Sequence, residues 1–444
     1  MRRSDFLWTT GAALTALPVN AARRRAKRDR VTVTVQPKQT TGESRLEIGI
    51  THTQYSLDTG GDLAAVDRGK SLLTRVCRLH NVHIMGWGVM NPSPAPGVYD
   101  WETLDRRMAM VRSIPNAVPV LTLCACPDWM KGGAPGTTNW KRIEAAPLPE
   151  HYDNFARLAA SVARRYPQVR YFQVWNEMKG MWNAKINNWD FAGYTRLYNA
   201  CYAALKSVNR ANQVGGPYLV IEGTGAAGQT SGVAESWARE APVRARQWEV
   251  IDYWLKNKTG ADFLTLDRGL TDFHDKTTYS LAERARLTHW FGDIARQVRA
   301  RPGAANLPLW WAEFYASEQV ASDAAKAALN ASAFRAALLG GSSVVLLWQP
   351  MNTGEVGHAL FSDVRQENGG QPTALYDVVR LFREYFGPGT PLVAAHSSSP
   401  DVEVLARPDA ALLINKTGEA QIVQVNKRSV SFAAFAVRLI PVSA

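Results

Sequence analysis

Short apolar runs alternate with longer amphipathic segments from about residue 46 to residue 387. The runs are rich in Val, Leu, Ile and aromatic residues, whereas the longer segments repeat their apolar residues at helical spacing. Such strand–helix alternation is typical of an α/β protein with a parallel sheet. Eight runs favour closure into a (β/α)8 TIM barrel over an open sheet. They lie at residues 46–50, 82–85, 118–123, 171–175, 214–216, 263–266, 309–312 and 344–348.

The segments between the runs predict the helices of this barrel, at residues 63–79, 101–114, 151–166, 194–209, 280–301 and 321–339. Residues 222–250 begin rich in Gly, Ala and Thr and become helix-like through Trp254. We expect this segment to extend the fifth strand-to-helix connection.

The pattern changes at both ends of the barrel region. Residues 31–35 alternate like a β-strand, and residues 36–44 are polar and predict a linker. Beyond residue 387 only short strand patterns remain, at 402–405, 411–414, 421–425 and 432–439. We expect residues 388–444 to form a small C-terminal β-sandwich packed on the 46–387 barrel, completed by strand 31–35, with residues 22–45 as basic arm, strand and linker.

The first 21 residues have the outline of an export signal. Arg2 and Arg3 precede a weakly apolar stretch at 6–17, and Val19-Asn20-Ala21 is a small-residue pattern of the kind that signal peptidase cleaves. The Arg pair followed by Phe6 resembles a twin-arginine signal with one extra residue. We therefore expect a secreted or periplasmic protein. No other segment approaches the ~20 apolar residues of a membrane span.

The net charge of +12 is unevenly distributed. Residues 1–30 carry eight basic and two acidic residues, so half of the excess lies in a short arm. This distribution argues against nucleic acid as a partner and leaves two alternatives for the arm: a solvated or processed tail, or an electrostatic contact with an anionic cell-wall polymer or phospholipid surface. The four cysteines, Cys77, Cys124, Cys126 and Cys201, are too few for a disulfide framework. We expect buried thiols, with a bridge involving Cys77 or Cys201 left open.

Two glutamates follow apolar runs in aromatic surroundings. Glu177 follows run 171–175, and Glu313 follows the Trp-rich run 309–312. Side chains at the C-terminal ends of barrel strands converge over one mouth of the barrel. One such glutamate on its own favours a structural salt bridge, whereas two together provide the paired carboxylates of a glycosidase. The 15 Trp and 14 Tyr suit a carbohydrate cleft, since sugars pack their C–H faces on aromatic rings.

Several motifs at the strand ends resemble the retaining glycoside hydrolases of clan A, closest to family 39 with its β-xylosidases and iduronidases, and next to cellulase-like members of family 5. The resemblance covers most of residues 46–387. The motifs that carry it are Trp175-Asn176-Glu177 at strand 4, Glu313 at strand 7, Trp348 at strand 8, Gly97-Val98-Tyr99-Asp100-Trp101, Leu121-Thr122-Leu123 with Pro127-x-Trp129, and Gly215-Gly216-Pro217.

This resemblance implies a role for each matching residue. Glu177 is expected to be the acid/base and Glu313 the nucleophile of a double displacement with retention. Asn176 is expected to hydrogen-bond the sugar 2-hydroxyl, and Trp348 to form the platform under the cleaved sugar. Such a mechanism requires carboxyl groups ~5–5.5 Å apart and no cofactor. The leading activity is that of a xylan 1,4-β-xylosidase-like enzyme acting on β-linked or equivalent equatorial bonds.

The chain also departs from the family pattern. The strand 2 arginine of many clan members is missing from the segment His83-Ile84-Met85-Gly86-Trp87. The strand 6 run 263–268 lacks His-x-Tyr, so the tyrosine that usually steadies the nucleophile is not visible there. Aromatic residues at other strand ends either line the sugar pocket or have structural roles; these are His52, Trp87, Trp129, Trp175 and Tyr315.

Other signals are weak. His80-x-x-His83 has no third ligand at suitable spacing, so we predict no metal site. The loop Gly225-Ala226-Ala227-Gly228 lacks the Lys-Ser/Thr of a phosphate-binding loop. Two alternatives to a glycosidase stay open: a catalytically inactive carbohydrate-binding barrel, and a wall-associating or nucleic-acid-associating protein that uses the basic arm.

Overall fold

The computed structural model describes residues 30–221, 243–270, 279–318, 320–354, 358–426 and 428–442. The strands in this part of the chain are β1 (Val31–Glu43), β2 (Glu47–His52), β3 (Leu79–His83), β4 (Val118–Leu123), β5 (Tyr171–Val174), β6 (Trp182–Asn183), β7 (Asn188–Trp189), β8 (Gln213–Val220), β9 (Phe263–Gly269), β10 (Leu309–Tyr315), β11 (Val344–Trp348), β12 (Met351–Asn352), β13 (Phe361–Ser362), β14 (Pro391–Ser397), β15 (Val402–Arg407), β16 (Ala410–Asn415), β17 (Gln421–Val425), β18 (Arg428–Phe432) and β19 (Val437–Pro441).

The α-helices in the same ranges are α1 (Leu63–Val76), α2 (Glu102–Arg112), α3 (Tyr152–Arg165), α4 (Phe191–Val208), α5 (Ala245–Asn257), α6 (Leu281–Leu287), α7 (Trp290–Arg299), α8 (Asp323–Leu339) and α9 (Ala374–Tyr385). Most are amphipathic. In α3, for example, Phe155, Ala159 and Val162 are buried at helical spacing while Arg164 and Arg165 lie near its C-terminal end. The apolar stripe faces the barrel, and this burial stabilises the helix layer.

Eight parallel strands close into a barrel in the order β10-β11-β2-β3-β4-β5-β8-β9, which confirms the predicted fold class. The lower part of the interior is apolar and includes Phe263 stacked on Trp310 at 4.2 Å. Gly215 allows this packing, since a Cβ there would lie 2.1 Å from the Phe263 ring. These large side chains fill the barrel as a packed core.

A ladder of buried polar side chains crosses four neighbouring barrel strands. Asn81 on β3 donates to Thr51 on β2 at 3.2 Å and accepts from Thr122 on β4 at 2.8 Å. Gln173 on β5 donates to Thr122 at 2.9 Å. These bonds offset the cost of burying polar groups and link the strands below Asn176 and Glu177.

The C-terminal strands form two sheets, β14-β1-β17-β18 and β15-β16-β19, which share one hydrophobic core that includes Val33, Val404 and Leu413. The small β-sandwich and the contribution of residues 31–35 to it are therefore observed. It packs on α8 of the barrel, where Ser332 donates to Glu403 at 2.7 Å and Arg335 to the Val404 carbonyl at 2.7 Å. This double contact explains why α8 is Ala-rich and buried on most of its surface.

Three predicted elements are wrong. The strand predicted at 432–439 is interrupted, because β18 ends at Phe432 and β19 begins at Val437. Residues 36–44 are no linker, because β1 continues to Glu43 and pairs antiparallel with β14 through two register shifts. Their side chains are mostly exposed, so the strand lacks the alternation that would have revealed it. The helix predicted at 280–301 is two helices, α6 and α7. Between them the Thr288 hydroxyl donates to the Ala285 carbonyl and competes with helix hydrogen bonding.

Strand 2 of the barrel is also shifted, from the predicted 82–85 to Leu79–His83. The four cysteines are free and buried, and burial raises the pKa of the Cys77, Cys124 and Cys126 thiols to about 12. Across the described ranges, the helices are all too short or too polar to cross a membrane. The predicted export signal, the basic residues at 22–29 and the 225–228 loop lie outside the described residues.

Candidate active site

A cluster of left-handed residues ends strand β5. Trp175, Glu177 and Met178 have φ values of 68°, 50° and 49°. Such conformations are costly for non-glycine residues and collect at functional sites. The Trp175 indole is fully buried, donates to the Lys179 carbonyl at 2.9 Å and packs edge-on against Phe155. Trp175 therefore belongs to the core, which corrects its expected role in sugar binding.

Two β-bulges flank strand β9 near its C-terminal end. On β8, Pro217 pairs with Thr265 and Leu219 with Leu266, so Tyr218 is an extra residue. On β10, Trp311 pairs with Leu266 and Glu313 with Asp267, so Ala312 is an extra residue. An extra residue reverses the faces of the side chains that follow. Through these bulges Tyr218, Asp267 and Glu313 meet above the barrel interior.

Three carboxylates converge at this point. One oxygen from each of Glu177, Asp267 and Glu313 lies within 4.8 Å of the other two. Glu313 and Asp267 are 5% and 2% exposed, and the Glu177 side chain is 16% exposed. Paired carboxyl groups of inverting glycosidases stand ~6.5–9.5 Å apart and those of retaining enzymes ~5–5.5 Å apart, so the close approach of Glu177 and Glu313 matches the retaining arrangement.

Glu313 is held by two phenols. Tyr218 donates to its Oε1 at 2.9 Å, and Tyr315 donates to its Oε2. Burial and the charge of Glu177 raise the pKa of Glu313, while Lys179 and the two hydroxyl groups oppose this shift. The donors thus stabilise the ionised form of a deeply buried carboxyl group.

Glu177 has a different set of partners. The Lys179 ammonium lies 2.6 Å from its Oε2 and 2.8 Å from Glu144 Oε1. Asn176 donates to the same Glu177 oxygen at 3.4 Å, and the buried Oδ1 of Asn176 has no hydrogen-bond partner among the described residues. Burial lowers the pKa of Lys179, but Glu177 and Glu313 outweigh burial and keep it above the ordinary value. The ammonium is therefore charged.

Asp267 lies between the two glutamates. It shares a hydrogen bond with Glu177, and its buried Oδ2 has no partner within the described ranges. Burial, Glu313 and Glu177 raise its pKa well above the ordinary range, with Lys179 opposing. Three grouped carboxylates of this spacing have the donors for a divalent cation. Lys179 already supplies positive charge at the cluster, so we assign no metal to it.

An aromatic wall stands beside the carboxylates. The His83 ring lies 4.6 Å from Trp87 and 5.5 Å from Trp348, and the two indoles meet edge-on at 6.1 Å. Lys179 Nζ lies 5.8 Å from the Trp87 ring centre, which connects this wall to Glu177. Trp87, Trp348 and Tyr315 are half-buried and retain surface for a ligand. Burial lowers the pKa of His83 to about 3, so its ring is neutral.

Two other candidates lie away from this cluster. His52 is fully buried and uses both ring nitrogens, with Ser56 at 2.7 Å and His80 at 2.9 Å. It has no group left for a sugar, which corrects its expected place in the pocket. The Trp129 indole donates to the Ser93 carbonyl at 2.9 Å and packs on His151, so its contacts are those of a loop anchor.

A cleft of about 450 Å³ opens next to Trp87. Its lining is mainly apolar and includes two indoles, with one guanidinium; the lining residues are Gly86, Trp87, Gly88, Val89, Met90, Arg106, Trp140 and Ile143. Trp87 belongs to both the cleft and the aromatic wall, so the cleft borders the wall that stands beside the carboxylates.

Sequence reasoning missed Tyr218, Asp267 and Lys179. Tyr218 directly follows the Gly215-Gly216-Pro217 motif, and Lys179 lies two residues after Glu177, so both were within reach of the motifs. Asp267 stood in the strand 6 run that departs from the family pattern. The sixth barrel strand is β9, and it lacks the tyrosine of the family pattern. Tyr218, on the adjacent strand β8, contacts Glu313 instead.

Comparison with solved structures places this arrangement in a known fold. A family 39 β-xylosidase from Caulobacter crescentus aligns over 93% of this chain and 97% of its own, with 15% identity and a TM-score of 0.53. A glucosidase from Croceicoccus marinus aligns over 93% and 84%, with 16% identity and a TM-score of 0.54. A conserved exported protein from Bacteroides fragilis aligns over 93% and 100%, with 11% identity and a TM-score of 0.60.

The chain has the fold of the (β/α)8 glycoside hydrolases. The resemblance to clan A near family 39 is thereby confirmed at the level of the fold. No protein-family model and no curated protein matches the sequence. At 11–16% identity, the shared glycoside hydrolase fold does not establish a particular activity for this chain.

Proposed function

We propose that this protein is a retaining glycoside hydrolase that cleaves β-linked, or equivalent equatorial, glycosidic bonds by double displacement. The observation that carries the proposal is the approach of Glu177 and Glu313 within 4.8 Å at the mouth of a closed barrel. Their surroundings differ in the way that two roles require. Glu313 receives two phenolic hydrogen bonds that favour its ionised form. Glu177 is more exposed, and its partner Lys179 also lies over the Trp87 ring of the aromatic wall.

In the first step Glu313 attacks the anomeric carbon while Glu177 delivers a proton to the departing oxygen. In the second step Glu177 removes a proton from water, which attacks the same carbon and releases Glu313. We assign the sugar 2-hydroxyl to Asn176, and two observations support this role: its amide lies against Glu177, and its buried Oδ1 has no hydrogen-bond partner among the described residues. Trp348 supplies the flat surface under the sugar.

The cleft and the aromatic wall support a proposal for the substrate class. The cleft beside Trp87 supports an oligosaccharide or polysaccharide longer than one sugar. A xylan-type β-xylosidase is the leading named activity, since a family 39 β-xylosidase shares the fold over nearly the full length of both chains. The export-signal pattern at 1–21 supports a secreted or periplasmic location, where such polymers occur.

The test compares the wild type with Glu313→Gln on aryl β-glycosides and wall polysaccharides. We expect the wild type to release sugar from one substrate class and the variant to release none. The product anomer that forms first, followed by NMR, should retain the configuration of the substrate. An inverted first anomer would contradict double displacement. Binding without hydrolysis, unchanged in Glu313→Gln, would instead favour a carbohydrate-binding barrel.

A further inference from the structure

Asp267 is a third carboxyl group that the two-glutamate mechanism leaves without a task. It is the register partner of Glu313 across β9 and β10, and it shares a hydrogen bond with Glu177. The charged and titratable groups that act on it are Glu177, Glu313, Lys179, Tyr218 and Tyr315. Lys179 is the cation in this set, and it lies against Glu177 at 2.6 Å.

The contact between Lys179 and Glu177 creates a chemical conflict. An ammonium at 2.6 Å favours the ionised form of its carboxylate. The first step of glycoside cleavage needs a proton on Glu177 at the moment when the leaving oxygen departs. The proton must therefore be held by a neighbour. Glu313 is an unsuitable holder because both of its oxygens accept phenolic hydrogen bonds.

Asp267 has the surroundings of a neutral carboxyl group. It is almost fully buried between two carboxylates, and its Oδ2 lacks a donor within the described part of the chain. We propose that Asp267 holds the proton of the free enzyme and passes it through Glu177 to the leaving oxygen. This inference rests on the proposed function. Asp267 acts through Glu177 and does not touch the sugar.

The charges of the cluster balance in each step. In the free enzyme Asp267 is neutral, Glu177 and Glu313 are anions, and Lys179 is a cation. When Glu313 bonds to the anomeric carbon, its carboxylate becomes a neutral ester. The Asp267 proton moves to Glu177, and the Glu177 proton moves to the leaving oxygen, so Asp267 becomes the second anion. The net charge of the four groups stays at minus one.

The second step reverses these transfers. Glu177 removes a proton from water, and the resulting hydroxyl bonds to the anomeric carbon as the ester bond to Glu313 breaks. Glu313 regains its charge, and Glu177 returns the proton to Asp267. A negative charge on Glu313 favours the neutral form of Asp267. Asp267 therefore releases its proton when Glu313 loses its charge in the first step, and takes a proton up when Glu313 regains its charge in the second.

Asp267→Asn tests the transfer because an asparagine keeps the shape and can donate to Glu177 but cannot pass on a proton. We expect kcat/KM to fall about 100-fold on glycosides with poor leaving groups, in line with general-acid catalysis. Dinitrophenyl glycosides, which depart without a proton, should react at close to the wild-type rate. The alkaline fall of kcat/KM seen for poor leaving groups should vanish in the variant. Equal losses on both substrates, or no loss, would overturn the proposal.

A second measurement does not depend on activity. The infrared carbonyl band of a neutral carboxyl group should be present in the wild type at neutral pH and absent in Asp267→Asn. Asp262→Asn is the matched control: Asp262 stands just before the same strand and pairs with Lys206 at 2.9 Å, so its replacement should leave the band unchanged. An identical band in both variants would place the proton elsewhere.

Two outcomes separate this inference from its rivals. A wild type that hydrolyses no glycoside would overturn the proposed function and the proton transfer with it, while the infrared band would still report whether Asp267 is neutral. Ca²⁺ or Mg²⁺ binding to the wild type in equilibrium dialysis, lost in Asp267→Asn, would make the three carboxylates a cation site and overturn the proton-holding role.

Discussion

The hydroxyl of Tyr218 donates a hydrogen bond to Glu313 Oε1 at 2.9 Å, across the strand that separates them. Tyr218 belongs to β8 and Glu313 to β10, and both strands carry a bulge against the intervening β9. The contact therefore depends on the register of three strands. Tyr218 and Tyr315 together donate two hydrogen bonds to the buried Glu313 carboxyl group. These bonds favour its ionised form, and a carboxyl group must be ionised to act as a nucleophile.

Replacement of Tyr218 by Phe removes one of these donors. The ionised form of Glu313 loses stabilisation, so its pKa rises and more alkaline conditions are needed to ionise it. We expect kcat/KM to fall at least about tenfold, since a hydrogen bond to a charged group contributes ~1.5–3 kcal/mol. The acid limb of the pH–rate profile should move to higher pH. Tyr194→Phe is the control, because Tyr194 donates to the Val174 carbonyl at the same 2.9 Å and should leave the limb in place.

Trp140→Ala tests whether the cleft beside Trp87 binds part of the substrate. Trp140 is 39% exposed and lines the cleft without contacting the carboxylates. Loss of its ring should raise KM for an oligosaccharide about 3- to 10-fold, as expected for an aromatic contact of ~0.5–1.5 kcal/mol. KM for an aryl monosaccharide should stay constant. Trp248→Ala, on the outer helix layer, should change neither value, and an equal rise for both substrates would argue against a separate subsite.

Buried histidines predict a loss of stability in acid. Burial lowers the pKa of His80 and His358 to about 4 and that of His83 to about 3, against ~6.5 in the unfolded chain. The unfolded state then binds more protons, so stability falls as pH drops from ~6.5 towards 4. The raised pKa of Asp267 acts oppositely, because the folded state retains the proton of Asp267 and loses that stability as pH rises.

His358→Phe isolates one of these histidines. The ring of His358 is buried against Tyr315, and its nitrogens have no partner in the described ranges. The free energy of unfolding in urea, measured from pH 6.5 to 4.5, should fall less steeply in the variant, by up to about 1.4 kcal/mol per pH unit. Parallel curves for the wild type and the variant would show that folding leaves the pKa of His358 unchanged, which would contradict the prediction.

Lys416 forms an ion pair with Glu403 inside the sandwich and also contacts the helix layer. Lys416 Nζ lies 2.8 Å from Glu403 Oε1 and also donates to the Ala285 carbonyl at 2.7 Å. Lys416→Met leaves Glu403 buried without its main partner and should destabilise the protein by about 3–5 kcal/mol. A second change, Glu403→Gln, should recover part of this loss. Arg380→Met, which breaks an exposed helix pair with Glu384, should cost under ~1 kcal/mol in the same urea titration.

Local pattern was enough to predict the barrel. Each strand from β2 to β11 that closes it contains an apolar run, and run 344–348 matches β11 residue for residue. The amphipathic helices follow equally from spacing, because burial of one face is a local property of the sequence. The position of Glu177 and Glu313 near strand ends was readable for the same reason.

Tertiary structure alone decided which groups meet at the site. The bulges at Tyr218 and Ala312 are set by pairing with β9, and no residue type in β8 or β10 announces them. Asn81 fell outside the predicted strand at 82–85, because the side chains that satisfy its polar group lie on other strands. Residues 36–43 became strand only by pairing with β14, more than 300 positions later.

The sequence by itself therefore determined the fold class and the positions at which carboxylates end strands, since hydrophobic burial is written into neighbouring residues. It did not determine that Asp267 lies between two glutamates, that Lys179 reaches Glu177, or that Trp175 and His52 turn into the core. Those relations depend on strand register and backbone direction, which arise from hydrogen bonds between distant segments.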